Sequence, residues 1–551
     1  MTAIPDTISE YSQYAAQEFL QTVVFIDDRI YRPGDESVAQ AKKVAPPKAR
    51  KMATKTAEQK ASEPVVSQDA AEEHEYSPHD VLISFAKKQI ICSLYQPPKK
   101  AKVSRSSDIY KLCLSADIVI VDWDLYGDRG AKALELIEGL IQQAVRDVPE
   151  QLRLILVYTQ EQNLFDIANQ LYEKITDSVG DEIVPLKEES GLAFHSQNIR
   201  VSVLGKTGRT RPEEWKEHEV SEKELADIAV NEFTKLANGL LHAATLLGLA
   251  EIKKNSRKIL SKFNAKLDPA FLTHMAMSLP EEDASTHIVP LLVSEIESVL
   301  EDALPHPLMP ERLIQDWCHN LWKPGDHLKD IFGKKVANLQ AVAETICLKG
   351  FQSAKEKHKD IPKLGNNDKT RKAAKILLSA DDDKSNHLFA HLMASRTFYG
   401  DKPKELKLGA IVHEMKDDKY FLCIQPICDS VRINEERVFV FVQMIKTDTV
   451  TTNQASHIVV NSEGEPLELY YQAKSFKCFT ATFTPDPDSK QVISTNSSKG
   501  EPVFTDISKR KYTWIDQLKP AHAQRAVENF ASDLSRVGLT ESEWLRQIER
   551  K

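Results

Sequence analysis

The sequence predicts a multidomain chain: a doubly wound α/β domain on a five-stranded parallel sheet, then an all-helical segment, then a β-rich domain closed by a terminal helix. Three observations carry this. Short apolar runs alternate with amphipathic helical stretches as far as residue 240, helical periodicity dominates from 240 to 400, and from Leu406 onward β-branched and aromatic runs are separated by Asn, Asp, Gly and Pro. The expected divisions are 1–240, 241–405, 406–518 and 519–551. A chain of 551 residues accommodates several domains at about 100 to 200 residues each.

The first stretch reads element by element. Ile8 to Leu20 has the spacing of an amphipathic helix, and Val23-Val24-Phe25-Ile26 forms a short buried strand that runs into Asp27-Asp28. From about 36 to 75 the composition shifts to Ala, Lys, Pro, Glu, Gln and Ser with few large apolar residues, which predicts a disordered insertion. A helix near 80–87 follows, then strands at 89–94 and 117–121, a helix with Leu134, Ile137, Leu140 and Ile141 on one face, and a strand at 152–157. After a helix at 164–175, the fifth strand is Ile199 to Leu204. A further helix is expected from Ser221, where Glu224 three residues on forms a capping-box pattern. Apolar strands alternating with amphipathic helices imply a parallel sheet covered on both faces. Beyond residue 240, helices are expected at 288–300, 313–321, 336–348 and 388–393, strands at 420–424, 438–442 and 479–483, and a closing helix from about 520 to 548.

Charge and cysteine content narrow the function classes. The 72 basic and 81 acidic residues leave a net charge of −9, so nothing overall drives nucleic-acid binding, and residues 406–518 hold 13 basic against 15 acidic side chains. No apolar run reaches the roughly 18 to 20 residues that span a bilayer, and the N-terminus has no signal-peptide pattern. A cytoplasmic protein with no membrane partner is expected. Seven scattered cysteines fit reduced thiols rather than a disulfide framework. Cys423 and Cys428 have no second pair nearby to complete a zinc site.

In a parallel sheet the side chains just past neighbouring strands converge on one crevice. Those positions hold Asp27 and Asp28 after the first strand, Asp122 after the third, Thr159 after the fourth and Lys206 after the fifth. Carboxylates brought together would repel one another unless a cation sat among them, and a hard divalent ion, Mg2+, suits an all-oxygen set. An ammonium and a hydroxyl beside such an ion fit phosphoryl transfer to a carboxylate nucleophile.

This set resembles the receiver domain of two-component response regulators, a flavodoxin-like fold. Asp122-Trp123-Asp124-Leu125-Tyr126-Gly127-Asp128-Arg129-Gly130 looks like the phosphoacceptor loop of that family. By the resemblance, Asp122 is the phosphorylated residue. Asp27 and Asp28 hold Mg2+ together with Asp122 and the backbone carbonyl of Asp124, Thr159 is the switch hydroxyl, and Lys206 pairs with the phosphoryl group. A phosphoacceptor rather than a metabolic enzyme is implied, with a sensor histidine kinase as donor.

The resemblance covers about residues 15–240. The insertion lengthens the path from Asp28 to Asp122, and Thr207 stands where the family has Pro. Between Thr159 and Lys206 lie 46 residues, where one helix and two loops need roughly 16 to 24, so a remodelled output face is expected. The layout of the whole chain is also similar to the receiver-bearing regulators of anti-phage phosphorelays of the Detocs type. That similarity implies a phosphate sink and a co-encoded effector as a further partner. The alternative is a receiver-controlled effector with its own activity in the C-terminal region, where His413, His457 and Asp429 are scattered rather than clustered.

Other motifs read as structural. Gly205-Lys206-Thr207 matches the tail of a phosphate-binding loop, but Arg200 occupies the position of its first glycine. His242 reads as an ordinary helical histidine. Cys318 and His319 are adjacent on a helix and diverge too far to face each other. The basic run from Lys42 to Lys60 reads as a solvated tether.

Overall fold

The computed structural model describes residues 5–31, 77–100, 102–147, 151–179, 186–196, 198–208, 211–278, 287–302, 304, 307–321, 339–358, 383–400, 402–446, 456–460, 465–471 and 474–535. The insertion expected at 36–75 and the terminal helix beyond 535 lie outside these residues. Two compact units form, residues 1–277 with 286–317, and residues 278–285 with 318–551.

The first unit is built on β1 (Thr22–Ile26), β2 (Ile91–Tyr95), β3 (Ile118–Val121), β4 (Arg153–Thr159), β5 (Leu186–Lys187), β6 (Ala193–His195), β7 (Ile199–Lys206) and β8 (Glu219–Val220). The sheet runs β2-β1-β3-β4-β7-β6-β5, with β8 beside β7. The five expected strands are its parallel core. The count of five is corrected to eight. Part of the long interval between Thr159 and Lys206 folds as an antiparallel hairpin, β5–β6, added to the edge of β7, and β8 pairs with β7 further on.

Strand alternation sorts the core into two faces. Val24, Ile26, Val119, Val121, Ile155, Val157, Val201 and Val203 pack under α3 (Asp108–Leu114), α4 (Ala131–Arg146) and α5 (Leu164–Val179). Val23, Phe25, Ile118, Ile120, Leu154, Leu156 and Tyr158 pack under α1 (Ile8–Phe19), α2 (Pro78–Lys87), α6 (Leu225–Leu236) and α7 (Leu240–Lys262). Helix α6 starts at Leu225 rather than Ser221, and the Ser221 hydroxyl donates to the Glu224 carboxylate instead of capping a backbone amide. Helices α8 (Asp268–Ser278), α9 (Ile288–Asp302) and α10 (Glu311–Leu321) follow.

The hairpin is fastened by charge. Arg200 on β7, almost wholly buried, contacts Glu188 beside β5 at 2.5 Å and Glu232 of α6 at 2.7 Å, and the Ser202 hydroxyl also donates to Glu232.

The second unit holds α11 (Leu339–Lys357), kinked at Gly350, α12 (Asp383–Ala394), nine antiparallel strands and α13 (Pro520–Leu534). The strands are β9 (Ala410–Glu414), β10 (Lys419–Cys423), β11 (Arg437–Lys446), β12 (Ser456–Val460), β13 (Pro466–Tyr471), β14 (Cys478–Phe483), β15 (Thr495–Asn496), β16 (Pro502–Thr505) and β17 (Lys511–Gln517). Their order is β12-β13-β11-β10-β9-β17-β16-β15, with β14 on β11. One face packs Ile411, Leu422, Met444 and Leu469 against Ala523, Ala526 and Phe530 of α13. The other is aromatic: Phe421, Phe439, Phe441, Phe483, Phe504 and Tyr512. Phe483 and Tyr512 sit on strands far apart in the sheet order, yet their rings are 5.7 Å apart and Ile507 N donates to Thr482 O at 2.9 Å. The sheet therefore curls around the aromatic core.

All seven cysteines are free thiols. Among the described residues no helix is long and apolar enough to cross a membrane.

Candidate functional site

Register delivers the site. Ile26 pairs with Val121, so Asp27 and Asp122 emerge side by side one residue later, and Thr159 pairs with Gly205, which sets Lys206 one step beyond. Alternation puts Asp27, Asp122 and Lys206 on the face of Phe25, Ile120 and Leu204, where the Lys206 ammonium also lies 5.4 Å from the centre of the Tyr158 ring.

Lys206 Nζ lies 2.6 Å from Asp27 Oδ2 and 3.3 Å from Asp122 Oδ1, with all three side chains buried. Asp28 turns in as well, its Oδ2 accepting from Tyr126 N at 2.7 Å. One oxygen from each of Asp27, Asp28 and Asp122 falls within 4.8 Å of the others, and these residues are the single such group among the described residues. Burial pushes the Asp122 carboxyl up to about 7, with Lys206 pulling it down and Asp27 pushing it further up. Burial likewise raises Asp28, opposed by the Tyr126 amide and aided by Asp27.

The donor set fits a divalent cation. Asp28 Oδ1 is buried without a hydrogen-bond partner, the Arg29 guanidinium lying 3.9 Å away, and the one buried ammonium, Lys206, is shared between Asp27 and Asp122 and offsets only one of three carboxylate charges. Buried oxygens left in this condition are costly unless a cation meets them.

The loop after β3 turns through left-handed conformations at Tyr126, Gly127, Arg129 and Gly130. A Cβ on Gly130 would come within 2.1 Å of the Trp123 ring, so the glycine is needed both for its φ of +89° and for that close approach. Asp124 is engaged locally, accepting from Arg129 N at 2.8 Å. Thr159 is buried at the end of β4, but its hydroxyl accepts from Glu161 N at 3.2 Å rather than reaching the carboxylates. The described residues contain no cis peptide bond, including the one that follows Lys206.

One residue escaped the sequence reading. Arg211 donates to three backbone carbonyls, those of Lys206 at 2.6 Å, Thr159 at 3.1 Å and Glu161 at 3.1 Å, and pairs with the Glu219 carboxylate at 3.1 Å. It thereby ties together the ends of β4 and β7. Its guanidinium lies over Gly205, where a Cβ would be 2.7 Å from it. That glycine was the one signal in the sequence, since a lone arginine in a loop has no pattern.

Residues 19–211 match the family model of the response receiver domain. The match supports a receiver-domain protein. It spans the five parallel strands and every residue of the acidic site, and it ends at Arg211. No curated protein and no solved structure matches the chain.

Proposed function

We propose that the chain is a response regulator that accepts a phosphoryl group on Asp122 from the phosphohistidine of a sensor histidine kinase. The observation that carries this is the cluster of Asp27, Asp28 and Asp122 oxygens within 4.8 Å of one another, with the Lys206 ammonium against Asp27 and Asp122, in the region that matches the receiver domain. In the reaction an Asp122 oxygen attacks phosphorus, a P–O bond forms, and the P–N bond to the donor imidazole breaks. The imidazole leaves with the electron pair and takes up a proton. Lys206 meets the growing negative charge on the phosphoryl oxygens. Asp27, Asp28, Asp122 and the Asp124 carbonyl would hold Mg2+, which when bound supplies charge neutralisation at the transferring group. Thr159 is the switch: its hydroxyl leaves the Glu161 amide for the new phosphoryl group.

The similarity of layout to anti-phage phosphorelay regulators supports a finer reading, that of a phosphate sink limiting accidental signalling. A sink requires rapid loss of the phosphoryl group, so its lifetime tests that part.

The test of the main reading is phosphorylation of the full chain by acetyl phosphate with Mg2+, read by intact mass and Phos-tag gel. One phosphate is expected, absent in EDTA and in Asp122→Asn. Phosphate retained in Asp122→Asn, or none on the wild type, would overturn it.

A further inference from the structure

The loops that follow β1, β2 and β3 on one side of the acidic site carry a group of five cations although the chain as a whole is acidic. Arg29 follows β1, Lys99 and Lys100 follow β2, and Arg129 and Lys132 follow β3. Hydrogen bonds join these loops into one rim. Tyr31 N donates to Gln96 Oε1 at 2.7 Å, the Tyr126 hydroxyl to Pro97 O at 2.6 Å, and Lys132 Nζ to Lys99 O at 2.9 Å. Arg29 reaches across to Gln160 beyond β4 at 2.5 Å.

The two acidic side chains of the β3 loop beyond Asp122 are hydrogen-bonded to backbone amides and keep their charge. Asp124 accepts from Arg129 N, and Asp128 accepts from Gly130 N and Lys132 N. Lys99, Lys100, Arg29 and Arg129 are exposed, with Glu161 an exposed carboxylate on the β4 side. Inside the pocket, three carboxylates and one ammonium sum to −2, a charge that a divalent cation cancels. With Asp124, Asp128 and Glu161 set against the five cations, these side chains then carry a net charge of +2, and such a field raises encounter rates with anionic partners.

We propose that this rim is a docking collar for an acidic protein surface, the surface that carries the phosphoryl donor. The inference rests on the phosphoacceptor reading of Asp122. The outer lysines lie on the β2 loop, beyond what a small phosphodonor at Asp122 needs, which favours a macromolecular partner. A nucleic-acid backbone suits the collar less well, because its centre is a carboxylate pocket rather than a continuous cationic track.

The test uses the full chain with Mg2+ and a fluorescein-labelled polyglutamate peptide, followed by fluorescence anisotropy. Binding that weakens by about tenfold in Lys99→Glu/Lys100→Glu, and again as ionic strength rises, is expected. Lys99→Gln/Lys100→Gln, with no introduced repulsion, should show a smaller loss at unchanged melting temperature. Peptide binding that is unaltered in both variants, or insensitive to salt, would overturn the collar. Tighter binding of an oligothymidylate of equal charge would overturn the assignment to a protein partner. Phosphorylation of the wild type by acetyl phosphate without peptide is scored separately, so loss of the phosphoacceptor reading is distinguishable from loss of the collar.

Discussion

Asp122 is surrounded by groups that oppose its ionisation, burial and the neighbouring Asp27, and by two that favour it, Lys206 and to a smaller extent Arg29. Removing its charge should therefore relieve the cation-free protein. Asp122→Asn is expected to raise stability in EDTA by about 1 to 2 kcal/mol and to reduce the gain on adding Mg2+, measured by thermal unfolding. A fall in melting temperature in EDTA would mean that Lys206 needs both carboxylates. Arg211 makes the opposite case. Its guanidinium serves three carbonyls and one carboxylate from a buried position, so Arg211→Met should cost about 2 to 4 kcal/mol and slow phosphorylation of Asp122. Arg211→Lys should not rescue it, because an ammonium cannot reproduce the planar fork. Gly205→Ala should behave like a weaker Arg211 variant, because the added methyl displaces the guanidinium. Wild-type phosphorylation rates in Arg211→Met would make the residue a fastener and nothing more. Asp27, Asp28, Asp122 and Lys206 were legible in the sequence because each follows an apolar run at a strand end. Arg211 was not, because its role is fixed by where β4 and β7 meet.

At the scale of elements, the parallel strands were legible because buried strands are unbroken apolar runs. The β5–β6 hairpin was not. Its strands have two and three residues, too few for any period to show, although Leu192 and Phe194 join the core and Arg200 holds it through Glu188. That fastening has a pH signature. The Arg200 hydrogen bond lowers Glu188, and at Glu232 burial pushes the pKa up while Arg200, Lys235 and Ser202 more than reverse it. A carboxylate lowered on folding contributes stability that is complete above its unfolded pKa, about 4.3, and is lost as pH falls through the folded value. Glu232→Gln should therefore be less stable than wild type at neutral pH, and the gap should close below about pH 4, as followed by melting temperature against pH. A gap that stays constant would remove the ionic contribution. In the second unit the strands were likewise visible as β-branched and aromatic runs, but their pairing was not. The curl that brings Phe483 to Tyr512 depends on contacts between residues far apart in the chain.

At the scale of the whole molecule, each unit has its own cores, two faces of a parallel sheet in the first and two faces of a curled antiparallel sheet in the second. The candidate cation ligands all belong to the first unit. Separate cores permit separate cooperative transitions, and a ligand stabilises only the unit that binds it. Calorimetry of the full chain should thus show two transitions. Mg2+ at ten times its dissociation constant should shift one of them, by about 1.4 kcal/mol of added stability, and leave the other in place. Asp28→Asn should abolish the shift without moving the second transition. If Mg2+ instead moved both transitions together, cation binding at the strand ends would be coupled energetically to the β-rich unit. That coupling would favour a regulator that transmits its phosphorylation state to its C-terminal half over a sink that only stores and releases phosphate.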